Sequence, residues 1–245
     1  MSDTAPSSLS DYRVLWERKP ALRAIYSDIY RRILGEAVGG RTLEIGGGSG
    51  NLKSFSPDVV SSDIIHASWL DVQCDAQQLP FSDGSFSNVV MVDVLHHVEH
   101  PIRALREISR VLRPGGRLIF CEPAITPLSG LFYRNFHPEP VDMSADPLAT
   151  GPITPDKDPW ISNQAIPTLL VTKFRDALHA ELPELTLLRT EWFSFLAYPL
   201  SGGFRPWSLL PDVAAKPLLA AEWSARKLLG KLAAFRLLAS YEKRA

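Results

Sequence analysis

Residues 41–51 read Arg-Thr-Leu-Glu-Ile-Gly-Gly-Gly-Ser-Gly-Asn, a short apolar run that breaks into glycines at its end. A run of this length closed by turn residues reads as a strand buried on both faces. Glycines directly after a strand let the backbone turn tightly and approach a ligand closely, and in open α/β sheets ligands lie beyond the carboxyl ends of the strands. Residues 58–63, 69–74, 86–92 and 116–122 have the same texture. Between the last two, Ile102, Leu105, Ile108, Val111 and Leu112 follow helical spacing, and Arg-Pro-Gly-Gly at 113–116 ends that helix. Strand–helix alternation of this kind predicts βαβ units.

The flanks complete the outline. Residues 1–10 are polar and read as a disordered tail. Leu22, Ile25, Tyr26, Ile29, Tyr30, Ile33, Leu34 and Ala37 mark a helix with one buried face, stopped by Gly39-Gly40. After Glu122 the texture shifts: residues 123–167 hold nine prolines and few periodic apolar runs. So long a connection inside a compact domain predicts a lid or binding loop. A helix is expected over 165–182, a strand over 185–198, a helix over 207–232 and a last strand over 235–241. The expectation is one domain over 1–245. It divides into a tail and helix (1–40), a ligand-binding core (41–122), a lid and acceptor insertion (123–184), and C-terminal strands and helix (185–245).

Composition removes several classes. With 26 basic and 27 acidic residues the net charge is −1, so no broad surface for nucleic acid is expected. No stretch approaches the roughly 18 apolar residues of a membrane span. The start lacks a secretion signal, which points to a cytoplasmic protein. Cys74 and Cys121 sit in apolar runs and read as buried free thiols.

The glycine segment discriminates among ligands. A dinucleotide fingerprint wants a third glycine where Asn51 stands, and Asn51 also breaks a G-x-S-x-G elbow. Neither a phosphate-binding G-x-x-x-x-G-K-[ST] nor an H-E-x-x-H metal motif occurs. Glu44-Ile45-Gly46-Gly47-Gly48-Ser49-Gly50 instead resembles the first motif of class I S-adenosylmethionine-dependent methyltransferases. Cys74-Asp75-Ala76 with Leu79-Pro80-Phe81 is similar to that family's D-A-x-x-L-P-F. Leu95-His96-His97-Val98 resembles the loop after its fourth strand, and Leu112-Arg-Pro-Gly-Gly-Arg-Leu118 its L-x-P-G-G-x-L. The resemblance spans residues 40–122. It implies a Rossmann-like, doubly wound α/β fold: a seven-stranded, mostly parallel sheet with a Pro-rich insertion after the fifth strand.

The resemblance also implies S-adenosyl-L-methionine as cofactor. It assigns the cofactor to Glu44, Gly46, Gly47, Gly48, Gly50, Ile64, Ala76 and Asp93, with Asp63 on the ribose hydroxyls and Asp75 on the adenine amino group. The family's helix between the second and third strands has no room here, so a loop is expected over 64–68, with Ile64 as the adenine wall. A base is needed only for a poor nucleophile such as a hydroxyl. The candidates are His96, His97, Glu122 and His137, foremost His97, Glu122 and His137. His96 and His100 are four apart, but Pro101 ends any helix and no third ligand is near in sequence, so no metal is expected.

Tyr133, Phe136, His137 and Trp160, with the aromatic run 192–207, are expected to enclose a small-molecule or glycan- or lipid-linked acceptor. Basic residues among the leucines of 213–238 leave peripheral membrane contact open. Oligomeric state is not legible. The alternatives are a catalytically silent S-adenosylmethionine-binding module and, disfavoured by Asn51, a nicotinamide-dependent oxidoreductase.

Overall fold

The computed structural model describes residues 8–244. Most of the expected tail, residues 1–7, lies outside the described residues, as does residue 245. Ser8 is not tail: its hydroxyl accepts the Asp11 N–H at 3.3 Å, and helix α1 (Leu9–Arg18) starts directly after it. The predicted first helix is α2 (Pro20–Glu36), with Leu22, Ile25, Ile29 and Ile33 buried.

Strands β1 (Thr42–Ile45), β2 (Val60–Asp63), β3 (Val72–Gln73) and β4 (Phe86–Val92) follow, then α3 (Pro101–Val111) and β5 (Leu112–Pro123). Helices α4 (Pro127–Phe136), α5 (Ile166–Val171) and α6 (Arg175–Glu181) precede β6 (Leu185–Phe193). Helices α7 (Ala197–Ser201) and α8 (Asp212–Ala233) then lead to β7 (Arg236–Lys243). One seven-stranded sheet has the order β3-β2-β1-β4-β5-β7-β6. Strands β1 to β5 pair in parallel, and β7 runs antiparallel to both β5 and β6.

Alternation along the central strands divides the core. Met91, Leu118 and Phe120 meet Ile102, Leu105 and Ile108 of α3 and Leu170 of α5 on one face. Val90, Ile119 and Cys121 meet Ile25, Ile29 and Ile33 of α2 and Leu219 of α8 on the other. The strand order reverses between β1 and β4, where an open α/β sheet leaves a crevice.

Four local departures have physical causes. A loop replaces the helix between β2 and β3, as expected, but β1 and β2 are also joined only by a short 3-10 turn, Asn51–Ser54. β5 begins at Leu112, which pairs with Phe86; the ladder resumes at Asn88 and Arg117, so the Arg-Pro-Gly-Gly segment bulges out of a strand it was expected to precede. The helix expected over 165–182 is two, broken at Thr172, whose hydroxyl bonds back to the Thr168 carbonyl. Cys121 is buried, but Cys74 is only half-buried; both thiols are free. Among the described residues, no helix is long and apolar enough to cross a membrane.

Candidate active site

The glycine loop stands at the reversal point. Gly46 takes φ 71°, and a Cβ there would lie 2.1 Å from Val94 Cγ2. The loop is tied down by the Gly47 N–H to the Ser62 carbonyl, 2.8 Å, and by the Trp69 indole N–H to the Gly48 carbonyl, 2.9 Å. Asp63, at the end of β2, accepts the Gly48 N–H through Oδ2 and the Ile65 N–H through Oδ1, both at 2.9 Å. Burial pushes its carboxyl up, and these amides oppose the shift. Asp75 accepts the Gln77 N–H at 2.8 Å. Glu44 is buried and accepts the Ser61 hydroxyl; burial pushes its carboxyl up to about 7.

The glycine loop and the carboxylates Glu44, Asp63 and Asp75 line one cavity of about 990 Å³. Glu44, Gly46, Gly47, Gly48, Asp63, Ile64, Asp75, Ala76 and Asp93 all border it, while Gly50 does not. Instead, a Cβ on Gly50 would lie 2.8 Å from the Trp69 ring, so this glycine makes room for the brace. Asp93 is less available than its assignment implies. It adopts φ 58°, and its carboxylate takes both terminal nitrogens of the buried Arg236, one at 2.9 Å, and the Tyr26 hydroxyl at 2.7 Å. Burial pushes its carboxyl up, but Arg236, joined by His96 and the Tyr26 hydroxyl, holds it below the ordinary range.

The far half of the cavity is aromatic. Tyr12, Tyr133, Phe136, Trp160, Tyr198 and Phe204 are its main walls. Trp160 stacks on Tyr12, with centroids 5.6 Å apart and planes 3° apart. Tyr133, Phe136, His137 and Trp160, all from the Pro-rich segment, line the cavity. Of the run 192–207, Tyr198, Phe204 and Trp207 line it; Trp192, Phe193 and Phe195 pack into the core.

The candidate bases separate sharply. Glu122 is fully buried and does not line the cavity. Its Oε1 accepts the Val94 and Leu95 N–H groups at 2.8 and 2.9 Å, and its Oε2 lies 2.6 Å from His96 Nδ1. Fully buried, off the cavity wall and committed to these three partners, Glu122 supports the loop after β4 and has no route to a substrate. His96 lies between Glu122 and Glu139, whose Oε2 is 3.4 Å from Nε2. Burial pushes the imidazole down, but the two carboxylates raise it to about 9, so His96 carries a proton at neutral pH. Glu139 is pushed up by burial, but His96, with His97 and His137 behind it, brings it down to about 2. His97 is lowered to about 4 by burial and then by the charge on His96; burial likewise lowers His137. Both are neutral imidazoles on the cavity wall, and His97 Nδ1 is buried with no hydrogen-bond partner.

The third neighbour that sequence spacing did not supply is thus Glu139. Ligand-type atoms of His96, His97 and Glu139 lie within 4.8 Å of one another. His96 is protonated between the two carboxylates there, so neither of its ring nitrogens keeps a lone pair for a metal. His100 points elsewhere, with Nε2 3.1 Å from the Pro152 carbonyl. Tyr12, Trp69, Glu139 and Arg236 had no signal in local spacing, because each reaches the site from a distant element.

The fold and site together define a class: a doubly wound α/β protein whose glycine loop and strand-end carboxylates open into an aromatic chamber. Residues 43–120 match the family described as methyltransferase domain. The chain is 34% identical over 152 residues to the ubiquinone/menaquinone biosynthesis C-methyltransferase UbiE of Ectopseudomonas mendocina, covering 51% of this chain and 57% of that protein. It is 36% identical over 122 residues to UbiE of Cellvibrio japonicus, covering 38% and 49%. The matches span about half the length of these relatives. Among solved structures, a methyltransferase from Thermotoga maritima aligns over 94% of this chain and 93% of its own at TM-score 0.55 and 15% identity. Geranyl diphosphate C-methyltransferase from Streptomyces coelicolor A3(2) aligns over 89% and 79% at TM-score 0.51 and 12% identity. Over residues 43–120 the chain is thus similar to a methyltransferase domain, and its fold is that of the solved methyltransferases.

Proposed function

We propose that the protein transfers the methyl group of S-adenosyl-L-methionine to a small acceptor with an apolar or aromatic body. The observation that carries this reading is the single cavity that joins the glycine loop and Asp63 to the aromatic chamber, with His97 on its wall. The residues fit the cofactor: the space a Cβ would take at Gly48 is open, with only the Gly46 carbonyl as near as 3.9 Å. Asp63 and Asp75 supply carboxylates for ribose and adenine, and Ile64, 48% exposed at the cavity, supplies an adenine wall. When bound, the cofactor supplies an electrophilic methyl group on a sulfonium. The chain's own residues hold the donor and acceptor in line and exclude water. For a hydroxyl acceptor, a neutral His97 or His137 takes the proton; protonated His96 and the buried Glu122, which does not reach the cavity, do not. Lipid- or glycan-linked acceptors fit the same reading. Leu228 and Leu232, 85% and 50% exposed on α8 beside Lys227 and Lys231, offer a face for peripheral membrane contact.

Calorimetry with S-adenosylmethionine, S-adenosylhomocysteine and NADH tests the cofactor; tight NADH binding with no response to the other two overturns it. Incubation with isotope-labelled donor and a metabolite extract tests turnover. Cofactor binding without any labelled product would favour the silent module.

A further inference from the structure

Lys19 occupies the single position between α1 and α2, and its side chain turns inward until only 7% of the residue is exposed. Four backbone carbonyls surround its ammonium and share its three N–H donors: Ser201 at 2.7 Å, Gly203 at 2.6 Å, Arg205 at 2.6 Å and Trp207 at 2.9 Å. No carboxylate pairs with it among the described residues. A buried cation solvated only by a ring of carbonyls is the arrangement ion filters use to replace a hydration shell. Here the ring is made by every second residue of one short segment. The residues between bear other contacts: Phe204 faces Tyr12 at 4.7 Å and Tyr26 at 5.2 Å. The segment curls through Gly202 and Gly203, at φ 71° and 53°, and is not held by any sheet ladder.

We infer that Lys19 is the positioning residue of the acceptor chamber: its ammonium holds residues 201–207 in the curl that presents Phe204 and Trp207 to the cavity. Converging carbonyls repel one another unless a cation lies between them, so the curl requires the charge and not merely a filled volume. A second tie at the same junction, the Ala21 N–H to Asp212 Oδ1 at 3.0 Å, fixes where Lys19 sits relative to α8. The functional consequence rests on the reading that this chamber receives the acceptor; the cage itself does not depend on it.

The test is hydrogen exchange on the full chain. In Lys19→Ala, the amides of residues 200–210 should exchange roughly tenfold faster or more, as expected on loss of several charge-assisted bonds, while the glycine loop keeps its protection. Potassium or ammonium chloride should restore that protection by refilling the ring, and choline chloride at equal ionic strength should not. Lys19→Met, which fills the volume without charge, should lose protection and resist rescue. Unchanged exchange over 200–210, or a loss in Lys19→Ala that potassium and ammonium fail to reverse, overturns the proposal. Should the variants not fold, the wild-type ¹⁵N spectrum decides: one lysine ammonium with slowly exchanging protons supports the cage, and its absence overturns it. Affinity for S-adenosylhomocysteine, read by calorimetry, should stay within about threefold in both variants. No binding by the wild type would sink the cofactor reading and leave the cage standing.

Discussion

His96 Nδ1 lies 2.6 Å from Glu122 Oε2, a contact between the loop after β4 and the C-terminal end of β5 in which both side chains are buried. The same carboxylate caps the Val94 and Leu95 amides, so one buried acid fixes the loop that presents His97 to the cavity.

Glu122→Gln removes the charge and replaces one acceptor with a donor. A broken buried ion pair costs about 3–5 kcal/mol. Urea unfolding at neutral pH should show a loss of that order. A loss below about 1 kcal/mol would mean that the pair contributes specificity alone.

The pair also sets a pH dependence. His96 is raised in the folded state from 6.5 to about 9, so its stabilisation is fully present below about pH 6.5 and is lost as pH rises through about 9. Unfolding free energy should fall across that window by roughly 3–4 kcal/mol. His96→Gln should flatten the slope, and an equal slope in the variant would assign the dependence to another group.

His97 and His137 are separable as bases. If the acceptor is a hydroxyl, the true base variant (His97→Ala or His137→Ala) should lose about 10²–10⁴ in turnover while S-adenosylmethionine affinity stays within a few fold. A His97 base, lowered to about 4, stays unprotonated above that pH, so its activity should fall only on acidification through it. Full activity in both variants would show that the acceptor needs no base.

In the cofactor half, Asp63→Ala should weaken S-adenosylhomocysteine binding by about 1.5–3 kcal/mol, since both ligand and Gly48 lose a charged acceptor. Gly46→Ala should be more damaging to folding than Gly48→Ala. A Cβ at Gly46 meets Val94 at 2.1 Å, whereas at Gly48 it meets open space and only the positive φ opposes it. Calorimetry and thermal unfolding of the three variants check the order.

Trp160 joins the Pro-rich segment to α1 through its stack on Tyr12. Trp160→Ala should leave S-adenosylhomocysteine affinity within about tenfold and raise the acceptor KM by a similar factor, the size of one aromatic contact plus its buried area. An unchanged acceptor KM would remove the lid from the acceptor site.

Sequence by itself determined the half of the molecule in which pattern is local. The strands from Thr42 to Pro123, the helix between Pro101 and Val111, the glycine loop and the carboxylates Asp63 and Asp75 are all legible because period, turn residues and strand ends lie within a few positions of one another. The loop between β2 and β3 was legible from residue count alone. Tertiary structure alone decided the ionisation of the site. Glu139 reaches His96 from the Pro-rich segment, Arg236 reaches Asp93 across 143 positions, and Lys19 meets its carbonyls across more than 180. Such pairings leave no periodic trace, because what fixes them is the cost of burying a charge, and that cost exists only once the surrounding elements have packed. The same physics turned Glu122 from a candidate base into a scaffold and left His97 neutral beside a charged neighbour.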